Sequence, residues 1–165
     1  ITSIIGSLSV LDNVALAVQS TTPHPLSFFG NVYHDDSLNS SAQHCLDQVG
    51  LSGRENEQAG HLSHGEKRAL EIAMALALRP QLLLLDEPMA GMGHDEALRL
   101  MTLLQQLKGS LAIILVEHDM DAVFSLADRV SVLVDGEVIA CSTPARVRQD
   151  QRVRAAYLGD EDLSC

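Results

Sequence analysis

Two uninterrupted apolar runs constrain this chain more than any other feature. Residues 82–85 are four consecutive leucines, and residues 111–116 are six apolar residues in a row. Runs this short and continuous are the pattern of strands buried on both faces. Between them Ala97, Leu100, Met101, Leu104 and Leu107 recur at helical spacing, and Gly109 stops that helix. After the second run, Met120, Val123, Phe124 and Ala127 return to helical spacing. Strand, helix, strand, helix in this order predicts an α/β layer with a largely parallel sheet. The apolar stretches 130–134 and 138–140 then flank Asp135-Gly136, a two-residue hairpin turn. Thr143-Pro144 reads as a cap followed by a first-turn proline.

Residues 1–79 have a different texture. Ser9 with Asp12 marks a helix start, after which Val10, Val14 and Val18 share one face. Pro23, Pro25 and Gly30 break the pattern, and 35–41 is polar. A second helix is expected over 41–49, closed by Gly50, with a polar loop over 53–60. The 165 residues suffice for an ordinary core, and 46% apolar against 20% charged is a globular composition. Eleven basic against 22 acidic residues leave a formal charge of −11. That balance argues against nucleic-acid binding, which needs a basic face, and against simple attraction to acidic lipid. Cys45, Cys141 and Cys165 form no C-x-x-C pair, so neither a zinc site nor a disulfide framework is expected.

Three polar constellations punctuate these elements. The first is Leu62-Ser63-His64-Gly65-Glu66, opening a long helix that ends before Pro80. Ser-x-x-Glu is a capping box, and capping alone accounts for Ser63 and Glu66. The same geometry offers an anion free N–H groups, a small glycine and a positive dipole end, with the Ser63 hydroxyl as a further donor. The second is Asp86-Glu87-Pro88, at the end of the first run. Carboxylates there sit at the sheet's carboxyl edge, where α/β proteins bind ligands. Successive side chains point apart, so one can serve a metal ion and the other a water. A solvated strand end is the plainer reading. The third is Val116-Glu117-His118-Asp119, directly after the second run. A lone histidine at a strand end is more often structural than catalytic.

Taken together, in this order and spacing, the three resemble the ATP-binding subunit of ABC transporters. The resemblance makes 62–66 the ABC signature, in a variant with His64 and Glu66. It makes 82–87 the Walker B strand, Ala90-Gly91-Met92-Gly93 the D-loop region and His118 the switch histidine. It continues through Ala127-Asp128-Arg129-Val130, Asp135-Gly136 and Thr143-Pro144. The stretch 153–159 resembles the ending of branched-chain amino-acid importer subunits.

The resemblance implies roles residue by residue. Asp86 would assist Mg²⁺ coordination through water, Glu87 would be the general base or water-orienting carboxylate, and His118 would contact the γ-phosphate. Ser63, His64, Gly65 and Glu66 would face ATP bound to the opposite subunit, with Ser63 and Gly65 at its γ-phosphate. The family sandwiches two nucleotides between two head-to-tail subunits. Phosphoryl transfer asks mostly for positioning and charge stabilisation, which suits this inventory. The implied fold is the C-terminal part of a P-loop NTPase core with a mainly parallel sheet over 80–165, plus the helical signature subdomain over 1–79. The implied function is the ATP-hydrolysing subunit of an importer for branched-chain or related amino acids, with other amino acids, amides or urea as alternatives. ATP and Mg²⁺ are the implied cofactors. The implied partners are a second ATPase subunit, as homo- or heterodimer, and transmembrane permease subunits, with no nucleic acid. The implied location is cytoplasmic, peripheral on the inner face of the cell membrane.

One family element is absent. The Walker A pattern G-x-x-x-x-G-K-[ST] occurs nowhere, and neither Lys67 nor Lys108 follows a glycine. Ser9-Val10-Leu11-Asp12-Asn13-Val14 resembles the segment just past the family's glutamine loop. The expectation is therefore a C-terminal portion of such an ATPase, inactive by itself. Two alternatives stand beside it. One is a non-catalytic interaction module derived from an ABC ATPase. The other is a metal-dependent hydrolase on Asp86, Glu87, His94 and His118, which leaves 63–66 and the hairpin unexplained. In the family's sheet, the strand before Walker A lies between those at 111–116 and 130–135. Without it those two strands are expected to pair directly, or to recruit a second copy.

Overall fold

The computed structural model describes residues 3–22 and 36–158; Pro23, Pro25, Gly30, Gly159 and Cys165 lie outside the described residues. The chain forms two compact units, Ile1–Ile114 and Leu115–Cys165.

In the first unit, α1 (Val10–Ser20), α2 (Asp36–Gln48) and α3 (His64–Ala77) pack on one another. Ser9 caps α1, its Oγ accepting from Asp12 N–H at 3.0 Å. Val10, Val14, Leu46, Leu70 and Ile72 are buried. Helix α2 starts at Asp36, earlier than the polar stretch 35–41 suggests. The reason is spacing: Leu38, Ala42, Cys45 and Leu46 recur with helical period and are all buried. Asn13 is a buried polar residue, 1% exposed, and its amide is used in full. Its Oδ1 accepts from Ile5 N–H at 2.8 Å, and its Nδ2 donates to the Ile5 and Ser9 carbonyls at 3.1 and 2.8 Å.

A backbone strip leads from this packing into the start of α3. Val10 and Leu11 N–H donate to the Glu57 and Glu55 carbonyls, and Ala59 and Gly60 N–H donate to those of Leu8 and Gly6. A Cβ on Gly60 would stand 3.0 Å from the Gly6 carbonyl oxygen, so only glycine lets the two segments meet here. The chain then turns through Leu62 into α3. The other end of α3 is closed by Arg79, in the left-handed region at φ 51°.

Strand β1 (Leu82–Asp86), helix α4 (His94–Leu107) and strand β2 (Ala112–Val116) form a βαβ unit. Ala112 N–H donates to the Gln81 carbonyl at the start of both strands, the alignment of a parallel pair. Leu100, Leu103, Leu104 and Leu107 are the buried stripe of α4. The strands are not buried on both faces, contrary to the expectation from their apolar runs. Leu83 is buried, but Leu82 and Leu84 are 51% and 65% exposed, and Ile114 and Val116 are each 50% exposed. An apolar run shows that both faces tolerate cover. It does not supply the layer that covers the second one.

In the second unit, α5 (Met120–Leu126) precedes the hairpin of β3 (Val130–Val134) and β4 (Glu137–Ser142), and α6 (Pro144–Gln149) comes after it. Asp135 and Gly136 have φ 49° and 81°, the backbone of a type I′ turn. Val130, Val132, Ala140, Val147 and Val153 form the core here. Among the described residues the strands make two separate sheets, β1–β2 and β3–β4. Direct pairing of 111–116 with 130–135, one of the two outcomes expected from the sequence, is not present among the described residues. Each strand instead takes the neighbour that its own connection delivers.

The one-sided burial of β1 has a testable consequence. Leu83→Ala is expected to cost about 2–5 kcal/mol of unfolding free energy in urea titrations. Leu84→Ser is expected to stay within about 0.5 kcal/mol, as at an uncovered surface position. Equal losses at the two positions would restore the two-sided strand.

Candidate functional site

The first turn of α3 carries the densest polar network in the first unit. Ser63 is the N-cap, and its Oγ accepts from Glu66 N–H at 3.3 Å. Glu66 reaches back, its Oε2 accepting from Ser63 N–H at 2.8 Å, which completes the capping box. Arg54 pairs with the same carboxylate at 3.2 Å. The next free donor of the turn, Gly65 N–H, is not left to water. It donates to Oε1 of Glu96 at 3.3 Å.

Glu96 lies in the first turn of α4, whose N-cap is Gly93. The Ser63 hydroxyl is the largest influence on its carboxylate, followed by Gly65 N–H and, more weakly, Gly93 N–H, and together they hold the Glu96 carboxyl below the usual glutamate range. From the first turn of α4, Glu96 thus bonds the head of α3. The fit is close, since a Cβ on Gly65 would stand 3.1 Å from Glu96 side-chain atoms. Ser63, Gly65, Glu66, Glu96 and Arg99 line a cleft of about 280 Å³ at this point.

His64 turns the other way. Its Nε2 lies 3.2 Å from the Ala90 carbonyl oxygen, a hydrogen bond when the proton is on Nε2. Ala90 belongs to the loop after β1, so the start of α3 is tied to that loop by His64 and to the head of α4 by Glu96. Asp86 ends β1 and is exposed. Glu87 comes next, in the left-handed region at φ 42°, and its carbonyl accepts from Ala90 N–H at 3.1 Å. A non-glycine residue held there costs on the order of 1–3 kcal/mol, and such strain gathers at functional sites. Pro88, fully buried, anchors the turn.

His118 lies in the second unit, after β2, with its side chain 72% exposed. Its Nδ1 is 3.9 Å from Oε2 of Glu117, whose side chain is 1% exposed. Asp119 caps α5, accepting from Asp121 and Ala122 N–H at 2.9 and 3.2 Å. Among the described residues no three His, Cys, Asp or Glu side chains gather as a metal site.

The structure brings Ser63, Gly65 and Glu66 together and adds Glu96, which the sequence does not single out. A Glu in the third position of a helix beginning at a glycine hints at capping its own helix. Its second engagement, with a donor 31 residues earlier, has no local signal.

The chain has counterparts among known proteins. The ABC transporter family model matches residues 3–90, more than half of the chain, and the chain belongs to that family. A second family model, for the branched-chain amino acid ATP-binding cassette transporter, matches residues 137–162. The high-affinity branched-chain amino acid transport ATP-binding protein BraF of Pseudomonas aeruginosa is 39% identical over 121 residues, covering 72% of this chain and 48% of that protein. The lipopolysaccharide export system ATP-binding protein LptB of Acidithiobacillus ferridurans is 32% identical over 160 residues, covering 96% of this chain and 62% of that one. The ADP conformation of MJ1267, an ATP-binding cassette of an ABC transporter, superposes with a TM-score of 0.78 at 25% identity, covering 94% of this chain and 65% of that one. The chain spans about half the length of the branched-chain relatives it matches.

The two helix heads make separate predictions. Ser63→Ala is expected to lower unfolding free energy by about 1 kcal/mol and Ser63→Gly by only a few tenths, read by chemical denaturation. Glu96 is depressed in the folded state, so its contribution is present above the usual glutamate range and is lost as pH falls through the depressed value. Melting temperature against pH is expected to drop less steeply on the acid side in Glu96→Gln than in the parent protein. Superposable curves would remove Glu96 from the linkage.

Proposed function

We propose that this chain carries the signature helix, the Walker B carboxylates and the switch histidine of an ATP-hydrolysing subunit of an ABC importer for branched-chain or related amino acids. The observation that carries the reading is the head of α3. Its Gly65 N–H already binds an anion, the Glu96 carboxylate, with the Ser63 hydroxyl favouring the same charge, so these donors fit a phosphate oxygen of the same charge type. The match of 137–162 to the branched-chain cassette family supports the cargo class.

In this reading Ser63, His64, Gly65 and Glu66 face the nucleotide held by a second ATPase subunit, identical or homologous. Glu87 orients or deprotonates the attacking water, and His118 contacts the γ-phosphate. Asp86 assists Mg²⁺ coordination through water. Mg²⁺ supplies charge neutralisation on the phosphates when bound. Residues 1–79 act as the helical subdomain that meets transmembrane permease subunits, and 80–165 as the C-terminal part of the α/β core. No helix among the described residues is long and apolar enough to cross a membrane. Attachment to the inner face of the cell membrane would then run through the permease.

The test uses the complete ATPase subunit that carries this chain. Glu87→Gln is expected to lower ATP turnover by about 10²–10⁴ while nucleotide binding persists. Residues 1–165 alone are expected to show no turnover, because no Walker A lysine is present. A loss under about fivefold at Glu87→Gln would remove it as the base. A Glu87-dependent rate in 1–165 alone would overturn the portion reading.

A further inference from the structure

We propose that the Glu96 carboxylate is an internal surrogate for the nucleotide's terminal phosphate, holding Ser63 and Gly65 until nucleotide displaces it. The inference rests on the reading of 62–66 as the face toward a partner subunit's nucleotide. Three observations carry it. The Glu96 carboxylate takes the Gly65 N–H at 3.3 Å, one of the donors assigned to that phosphate, and lies within the influence of the other, the Ser63 hydroxyl. Its approach is so close that a Cβ on Gly65 would stand 3.1 Å from three of its side-chain atoms, so the carboxylate packs directly on the glycine whose N–H it takes. It also has somewhere to go: Arg99, one turn along α4, lines the same cleft.

Two anions cannot share these donors at this distance, so nucleotide and Glu96 compete. A phosphate carries more charge and more acceptor oxygens than a carboxylate, so it wins at sufficient concentration. Until then the carboxylate satisfies the helix head and repels a second anion. Glu96 therefore sets the nucleotide concentration at which two subunits close. It is a positioning residue that takes no part in the chemical step.

The experiment measures ATP-dependent dimerisation of the complete subunit, by light scattering with Mg²⁺ and ATP, in a Glu87→Gln background that blocks turnover. Glu96→Gln keeps the shape and a weaker acceptor but removes the charge. It is expected to lower the half-maximal ATP concentration several-fold. Glu96→Asp keeps the charge but falls short of Gly65, and is expected to move the midpoint the same way. Asp95→Asn removes a charge from the same turn without touching Gly65, and is expected to leave the midpoint in place. An unchanged or raised midpoint in both Glu96 variants would overturn the proposal, as would an equal shift with Asp95→Asn, which would mean bulk charge. No ATP-dependent dimer in any variant would overturn the sandwich reading, and the surrogate with it.

Discussion

The first turns of two helices must each satisfy N–H groups that have no intrahelical partner. In this chain one side chain links the two. Glu96 stands in the first turn of α4 and accepts from Gly65 N–H at the head of α3. The positive dipole ends of α3 and α4 thus meet near a single carboxylate, whose pKa is lowered by the donors around it, the Ser63 hydroxyl foremost. The rest of the arrangement depends on this contact. With α3 and α4 joined at their heads, the loop between β1 and α4 is brought beside Ser63 and His64, and His64 closes a second tie to Ala90. The proposed nucleotide-facing residues and the proposed Walker B carboxylates are therefore held in one compact unit by contacts that are electrostatic and directional, where side-chain packing alone would leave more latitude.

What the sequence discloses depends on how far apart the interacting residues lie along the chain. The caps at Ser9 and Ser63 and the Asp135-Gly136 turn are legible because each is completed within three residues, and the structure has all three. The start of α2 is less so, because polarity over 35–41 mimics a break although Leu38, Ala42 and Cys45 already set the helical period. The Glu96 engagement with Gly65 is out of reach. Its two ends sit in different elements, and nothing in either local pattern names the other.

The strands show a different limit. Residues 82–85 and 111–116 predict burial on both faces because every position is apolar. In the structure alternate positions divide, with Leu83 covered and Leu84 mostly in solvent. Composition records what a face can accept, and burial requires a second layer to be delivered by the topology. The same separation governs pairing. Strand β3 pairs with β4 through a two-residue turn, and β2 joins β1 after a helical crossover, so strands consecutive along the chain become partners. The hairpin is the safer inference because its turn and its pairing are one local event.

The conformation of Glu87 bears most directly on chemistry. Its φ of 42° is a backbone state that glycine enters without penalty and that a glutamate side chain resists. If the turn after β1 existed only to connect a strand to a helix, glycine would serve it at lower cost. The glutamate persists against that cost because the surroundings over-determine it: Pro88 is fully buried on one side, and Ala90 N–H closes the turn onto the Glu87 carbonyl on the other.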